Sequence, residues 1–359
     1  MLDRKTLKIY FCGPIKCWDF KSYRECEYVV VLSKFFEIEF VSPKEADYFL
    51  VNETLNSRSD YFRNYRDDVI SILISGEALC PDFNLYDYAL GFDPLDYEDR
   101  YLRFDPAYRF SKYLSMKPAL FDEDSEKMFC NFIYSNFMAH PVRDELFHNI
   151  SEYKMVHSYG RHLNNMGNLL SEMTSKSTWA QAKNDLESRY KFSISAENSF
   201  HLGYTSEKVF TAFAAGSVPI YWGNPQIGKD VNPNRLINVH DFDSLDELRE
   251  FISFVDSDDL EYFNIVSQPW FTQNQLEKTI HFQHDLEKFL LNIFAKNKNE
   301  VFRKGLGTSS FTNVRIAKLS FPIGRRLRVI QELSNYRLVP KRFLNKIRNF
   351  IARSSFGKK

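Results

Sequence analysis

No stretch of this chain of 359 residues is apolar for anything near the roughly 20 residues that cross a bilayer. Residues 1–8 are polar and mixed in charge, so they do not read as a secretory leader or an anchor. Cysteine is scarce. Cys12, Cys17, Cys26, Cys80 and Cys130 are odd in number and fit no metal-binding spacing, which weighs against a disulfide scaffold and points to reduced thiols in a cytosol. No GxGxxG follows Leu7–Cys12 and no GxxxxGK[ST] occurs anywhere, so dinucleotide and P-loop readings are weak. Net charge is missing too: 47 Lys and Arg balance 47 Asp and Glu, and the average demands no nucleic-acid partner. That balance is uneven along the chain. From Gly324 to Lys359 there are eleven Lys or Arg and one acid, Glu332.

Aromatic residues are plentiful, with 34 Phe and 20 Tyr, which suits a large core and, for Tyr, polar grooves. The length predicts two domains. Strands are expected at Leu7–Cys12, Glu37–Val41, Ala46–Asn52, Ile70–Ser75 and Tyr86–Gly91, with Tyr28–Phe36 a strand or short helix. A second α/β unit starts near Lys127, with a strand at Met128–Ser135, a helix at Val142–Ile150 and a polar helix at Trp179–Arg189. Ser244 and Glu247 read as a capping box, and Leu276–Phe294 as a long amphipathic helix. Two successive α/β domains fit a double-Rossmann transferase that works in the cleft between them, although this pattern alone also admits a kinase, epimerase or dehydrogenase.

The most telling stretch is 190–223. A short strand ends in Glu197 and Asn198. A glycine loop, Gly203-Tyr204-Thr205-Ser206, leads into a helix whose first turn holds Glu207 and Lys208. The helix stops at Gly216 and a strand follows, Val218-Pro219-Ile220-Tyr221-Trp222-Gly223. Free amides and the helix dipole at such a start favour an anion, as in a nucleotide-sugar donor.

Gly203–Lys208, Ala214–Gly223 and Asn238–Phe242 together resemble the α-1,3/4-fucosyltransferase family. The likeness extends to Ser75–Asp93, Asp96–Arg103 and Phe129–Arg143, covers roughly Leu7 to Ser267, and is nearest to bacterial members that build Lewis-type structures on lipopolysaccharide or related glycans. Ala78 departs from the pattern, where Asn is common, and Thr205-Ser206 replaces the commoner Val-Thr. The resemblance implies a GT-B type fold, two Rossmann-like domains facing a cleft. Residues 1–125 would bind the acceptor, 126–320 would bind GDP-fucose, and 321–359 would form a basic tail. It also implies inverting α-1,3 transfer of fucose from GDP-β-L-fucose to the N-acetylglucosamine of a galactose-containing glycan, with no cofactor. An α-1,4 linkage, another nucleotide-sugar donor of the same fold and a non-catalytic glycan-binding protein stay open.

Inversion needs one carboxylate base on the acceptor hydroxyl and positive charge on the departing diphosphate. Glu77, at the end of a buried strand, is the base that the resemblance also designates; alone it reads as a surface turn acid. Arg143 and Lys208 are the expected diphosphate clamp, the alternative for Arg143 being a salt bridge with Asp144 or Glu145. Glu197, Asn198, Tyr204, Ser206 and Glu207 complete the expected donor site. Asp82, Tyr86, Asp87 and Asp93 are candidates for an acceptor groove, since carboxylates and Tyr suit sugar hydroxyls; solvated loop and cap roles fit them equally. Asp241-Phe242-Asp243 spells DxD, but its place before Ser244 reads as turn and cap, and His281 and His284 lack a third ligand, so no metal is expected.

In the tail, Phe343, Leu344, Ile347, Phe350 and Ile351 share a helical face ringed by Lys341, Arg342, Lys346, Arg348 and Arg353. That pattern predicts a helix lying on an anionic membrane, with docking on the protein as the alternative. The enzyme is therefore expected in the cytoplasm, peripheral on the inner face of a bacterial membrane, with a lipid-linked or free oligosaccharide acceptor.

Overall fold

A computed structural model describes residues 4–14, 22–114, 126–167, 170, 179–305 and 315; the tail reading falls outside them. The first half carries β1 (Thr6–Phe11), α1 (Glu27–Leu32), β2 (Glu37–Phe40), β3 (Tyr48–Asn52), α2 (Leu55–Asn64), β4 (Ile70–Ile74), β5 (Tyr88–Gly91) and β6 (Tyr101–Arg103). Short helices α3 (Pro106–Arg109) and α4 (Ser111–Leu114) follow. The second half carries β7 (Met128–Phe132), α5 (Val142–Tyr153), β8 (Val156–Ser158), α6 (Trp179–Glu187), β9 (Tyr190–Ala196), α7 (Glu207–Ala214), β10 (Val218–Trp222) and β11 (Ile237–Asn238). Four helices close it: α8 (Leu245–Ser257), α9 (Asp259–Val266), α10 (Gln273–Phe294) and α11 (Lys298–Val301).

Two sheets result, ordered β2-β1-β3-β4-β5-β6 and β11-β10-β9-β7-β8. In the first, β1 pairs in parallel with β2 and β3, and β3 with β4. All pairings of the second are parallel. The central strands β3, β4 and β10 are buried along their whole length, whereas β2 at an edge alternates. That is the burial expected of parallel sheets covered by helices on both faces. Tyr28–Phe36, open between strand and helix in the sequence, begins as α1; β6, β8, α2 and α9 had no clear sequence signal. Ser244 caps α8 by accepting from the Glu247 amide at 3.1 Å, and Asp243 N–H donates to the Glu247 carboxylate at 2.9 Å.

The chain divides into two compact units, one of Met1–Ile74, Pro81–Ala89 and the chain from Ile293, the other of Ser75–Cys80 and Leu90–Asn292. In the second unit, Phe132, Phe192, Ile194 and Ile220 from the sheet pack with Leu146 and Ile150 of α5 and Leu248 and Ile252 of α8.

The first unit overturns one expectation. Asp87, a candidate for the acceptor groove, has no exposed surface. One carboxylate oxygen accepts from the backbone of Arg303 (2.7 Å) and Lys304 (2.8 Å), the other from the Ser71 amide (2.7 Å). The Lys304 ammonium lies 3.6 Å away and donates to Val69 O and Ser71 Oγ. Burial pulls the Lys304 pKa down, against the attraction of Asp87. A charge inside a parallel sheet must be paired, so Asp87 is an anchor for the returning chain. Tyr86, another groove candidate, is buried with its ring stacked on Tyr61 at 5.3 Å.

Asp87→Ala strands the Lys304 ammonium, and we expect a loss of about 3–5 kcal/mol. Chemical denaturation monitored in the first unit checks this; a loss below about 1 kcal/mol would mean the pair contributes no more than an exposed one.

Candidate active site

Strand order in the second sheet reverses at β7, since β8 lies to one side of it and β9 to the other. Parallel sheets bind ligands outside the carboxyl ends of the strands at such a reversal, where two loops diverge. The loop after β7 leads to Arg143, and the loop after β9 begins with Glu197 and Asn198.

Arg143 stands in the first turn of α5 and is wholly buried. Its guanidinium lies 4.0 Å over the Tyr134 ring. It donates to Asn136 O and Ala196 O, each at 3.2 Å, and to Asn198 Oδ1 at 2.6 Å. The salt bridge with Asp144 or Glu145 does not form; Asp144 instead meets His162 Nε2 at 2.7 Å. Among the described residues, Arg143 has no carboxylate partner.

Glu197, at the end of β9, was expected to touch the donor, but it is fully buried. One oxygen accepts from the Ser206 amide (2.8 Å), the other from Ser206 Oγ (2.7 Å) and Lys208 Nζ (2.9 Å). The carboxylate therefore occupies the start of α7, the place where sequence reasoning put a phosphate. Ser206, also buried, caps α7. Lys208, with 13% of its side chain exposed, also donates to Ser206 Oγ at 3.0 Å and lies 3.9 Å from Glu207, so one of its three ammonium donors is left for an outside anion. Burial works against its charge, but Glu197 and Glu207 raise its pKa above the usual lysine range. Burial would also raise Glu207; Lys208 and Lys183 outweigh it and hold that carboxyl below the usual range.

Gly223 follows β10 with φ 154°, and a Cβ there would come within 2.5 Å of Glu197 Cγ. Only glycine lets the buried carboxylate sit where it does.

Glu77 follows β4 in the turn that Ser75 ties by donating to Glu77 O at 2.9 Å. The residue as a whole is exposed. The Tyr204 hydroxyl is shared between Gly76 O at 3.4 Å and Glu77 Oε2 at 3.5 Å. Tyr204, expected on the donor, is thus itself buried and aimed at Glu77, its ring edge-on to Phe92 at 5.1 Å. Partial desolvation raises the Glu77 pKa above the usual glutamate range. Lys208 opposes the rise, Glu207 and Glu197 add to it, and Tyr204 opposes it; solvent contact tempers all of these.

The remaining acceptor candidates serve local structure. Asp82 accepts from the Asn84 amide at 2.9 Å, and Asp93 meets His201 Nε2 at 3.0 Å. In the DxD triplet, Asp241 accepts from Asn238 at 2.8 Å. Among the described residues, no group of three or more His, Cys, Asp or Glu is gathered to hold a metal ion. Nor is any described helix long and apolar enough to cross a membrane.

Sequence reasoning missed Arg103 of β6. Its Nε donates to Phe92 O at 2.9 Å, and its Nη2 reaches Gly203 O at 3.1 Å and Asp230 Oδ1 at 3.0 Å. Asp230 also accepts from Thr205 Oγ1 (2.8 Å) and Asn224 Nδ2 (3.2 Å). The one sequence signal was Gly203, whose φ of +82° and tight fit against the Phe92 carbonyl exclude a side chain.

Two parallel sheets flanked by helices, with cations and carboxylates gathered where strand order reverses, define a GT-B-like two-domain glycosyltransferase fold. A solved structure of an α1,3-fucosyltransferase superposes with a TM-score of 0.63 at 25% identity, over 79% of this chain and 91% of that one. One with GDP-fucose gives 0.61 over 80% and 92%. The chain belongs to the fucosyltransferase family: residues 123–293 match glycosyltransferase family 10 (fucosyltransferase) C-term, and residues 9–111 match the alpha-(1,3)-fucosyltransferase FucT N-terminal domain. Alpha-(1,3)-fucosyltransferase FucT of Helicobacter pylori is 30% identical over 230 residues, 54% of this chain and 46% of that protein. Alpha-(1,4)-fucosyltransferase of Arabidopsis thaliana is 30% identical over 139 residues, 36% and 35% of the two chains. The mouse 4-galactosyl-N-acetylglucosaminide 3-alpha-L-fucosyltransferase 9 is 29% identical over 156 residues, 42% and 40%. The chain thus spans less than half the length of the curated relatives it matches.

In a carboxyl-labelled sample, we expect Glu77, assigned by its absence from Glu77→Gln, to titrate above an ordinary glutamate. Lys208→Met removes the cation that favours the carboxylate, so it should move that titration higher still. A titration at or below the ordinary value, or a downward move in Lys208→Met, contradicts the electrostatic account.

Proposed function

We propose that the chain is an inverting α-1,3-fucosyltransferase, moving L-fucose from GDP-β-L-fucose to the N-acetylglucosamine of a galactose-containing glycan. The observation that carries this reading is the Arg143 guanidinium, buried at the strand-order reversal against Asn198 with no carboxylate partner among the described residues, while Lys208 acts with it on Tyr134. Family membership supplies the donor, and the names of its relatives supply the acceptor class.

In this reading Glu77 takes the proton from the acceptor hydroxyl. The freed oxygen bonds to C1 of fucose as the C1–phosphate oxygen bond breaks on the opposite face, and GDP leaves with the bonding electron pair. A base with a raised pKa suits work near neutral pH. Lys208 donates to the leaving diphosphate, and Arg143 adds a positive field at short range. Glu197 and Glu207 offset much of the local positive charge, so directed donors matter more than net charge. Asn198 turns its carbonyl oxygen to Arg143, leaving its amide N–H groups for the donor. Within this scheme residues 1–125 serve the acceptor and 126–320 the donor, no metal takes part, and the basic tail holds the enzyme on an anionic membrane facing the cytoplasm.

The test offers GDP-fucose to N-acetyllactosamine and to its β-1,3 isomer with EDTA present, reading mass and then linkage by NMR. One deoxyhexose should be added, preferentially to the β-1,4 acceptor. GDP should compete and UDP should not. Glu77→Gln should lower kcat by roughly 10²–10⁴. Preference for the β-1,3 isomer would point to the α-1,4 linkage, while absence of both transfer and GDP-fucose binding would end the assignment.

A further inference from the structure

We propose that Arg103 and Asp230 are positioning residues that hold Tyr204, and through it Glu77, in register with the donor loop. This rests on the reading of Glu77 as the base. Three chain segments meet at the Arg103 guanidinium: the turn after β5 through Phe92 O, the donor loop through Gly203 O, and the turn after β10 through Asp230. Asp230 is almost completely buried, and its second oxygen accepts from Thr205 and Asn224. Asn224 Oδ1 in turn accepts from the Gly203 amide at 2.9 Å. Both polar groups of the Gly203 backbone are therefore pinned, and its φ of +82° aims the next residue. That residue is Tyr204. Its ring is gripped by Phe92, whose own carbonyl Arg103 holds, and its hydroxyl faces Gly76 and Glu77.

The arrangement links two parts of the proposed chemistry. Residues 203–206 carry the cap of α7 and so fix Lys208; the same residues, through Tyr204, meet the base. The groups whose charge bears on Glu77 are Lys208, Glu207, Glu197 and Tyr204, and all but Glu197 lie within residues 204–208. A shift of residues 203–206 would displace the base relative to its acceptor while leaving the Arg143 contacts to Tyr134, Asn136 and Ala196, which lie outside that segment, intact.

The test compares Arg103→Met, Arg103→Met/Asp230→Asn, Tyr204→Phe and Arg103→Met/Tyr204→Phe with wild type and Glu77→Gln. It measures kcat, both KM values, the pH profile, the carboxyl titration of Glu77 and thermal melting. Arg103→Met should lower kcat about a hundredfold while KM for GDP-fucose stays within about threefold. Its acidic limb and the Glu77 titration should move to higher pH, as in Tyr204→Phe, because a donor to the carboxylate is lost. Adding Tyr204→Phe to Arg103→Met should cost little more. Arg103→Met leaves Asp230 buried and unpaired, so some loss of melting temperature is expected. Arg103→Met/Asp230→Asn should recover the melting temperature but not kcat.

Recovery of kcat with melting temperature would reduce Arg103 to a neutraliser of Asp230 and overturn the proposal. So would an unmoved Glu77 titration in Arg103→Met and Tyr204→Phe, whatever the activity. Full transfer by Glu77→Gln with a titration that still responds to Arg103 would instead sink the base assignment and leave the coupling standing.

Discussion

A carboxylate with no access to water must satisfy every lone pair inside the protein, and the Glu197 side chain sets that requirement for the whole candidate site. It draws in the Ser206 amide and hydroxyl and the Lys208 ammonium, which fixes the start of α7 and the direction of its lysine. It forbids a side chain at Gly223, and so dictates the turn after β10. A helix start that would otherwise be open to any anion is thereby reserved, and in the proposed reading a diphosphate would meet a lysine instead of bare amides.

The second consequence is electrostatic. Lys208 stands 2.9 Å from Glu197 and 3.9 Å from Glu207, and Lys183 stands 3.4 Å from Glu187, so the neighbourhood is densely charged but mixed in sign. In the proposed reading, selectivity for a diphosphate would come from where donors point. The same mixture acts on Glu77: a strongly cationic pocket would depress its pKa, while the opposing pulls of Lys208 and of Glu197 and Glu207 leave desolvation to raise it, which suits the role of base proposed for it.

Much of this was legible in the sequence. Strands that are buried on both faces, such as Ile70–Ile74 and Val218–Trp222, announce themselves as continuous apolar runs, and helix starts such as Ser206 and Ser244 carry their caps within three residues. Arg143 and Lys208 stood out as cations in first helical turns near strand ends, whereas Glu77 was singled out only with the family resemblance. Their surroundings were illegible. That Glu197 is buried against Ser206 and Lys208 is something the strand-ending position does not reveal. Asp87 looked like a sugar-binding carboxylate because its partner is remote, and Arg103 and Asp230 carried no local signal because each acts through the other's distant segment.

The distance between Asp87 and Lys304 bears on how the protein is made. They are 217 residues apart. At roughly 5–20 residues per second of synthesis, about 10–40 s separate the emergence of the acid from that of its partner. During that interval Asp87, just before β5, lacks the Lys304 ammonium and the two backbone donors that pair it in the folded unit. The unit encoded mostly between residues 90 and 292 has all its own strands first. The first unit, which draws on the chain from Ile293, is then the last to have all its parts synthesised.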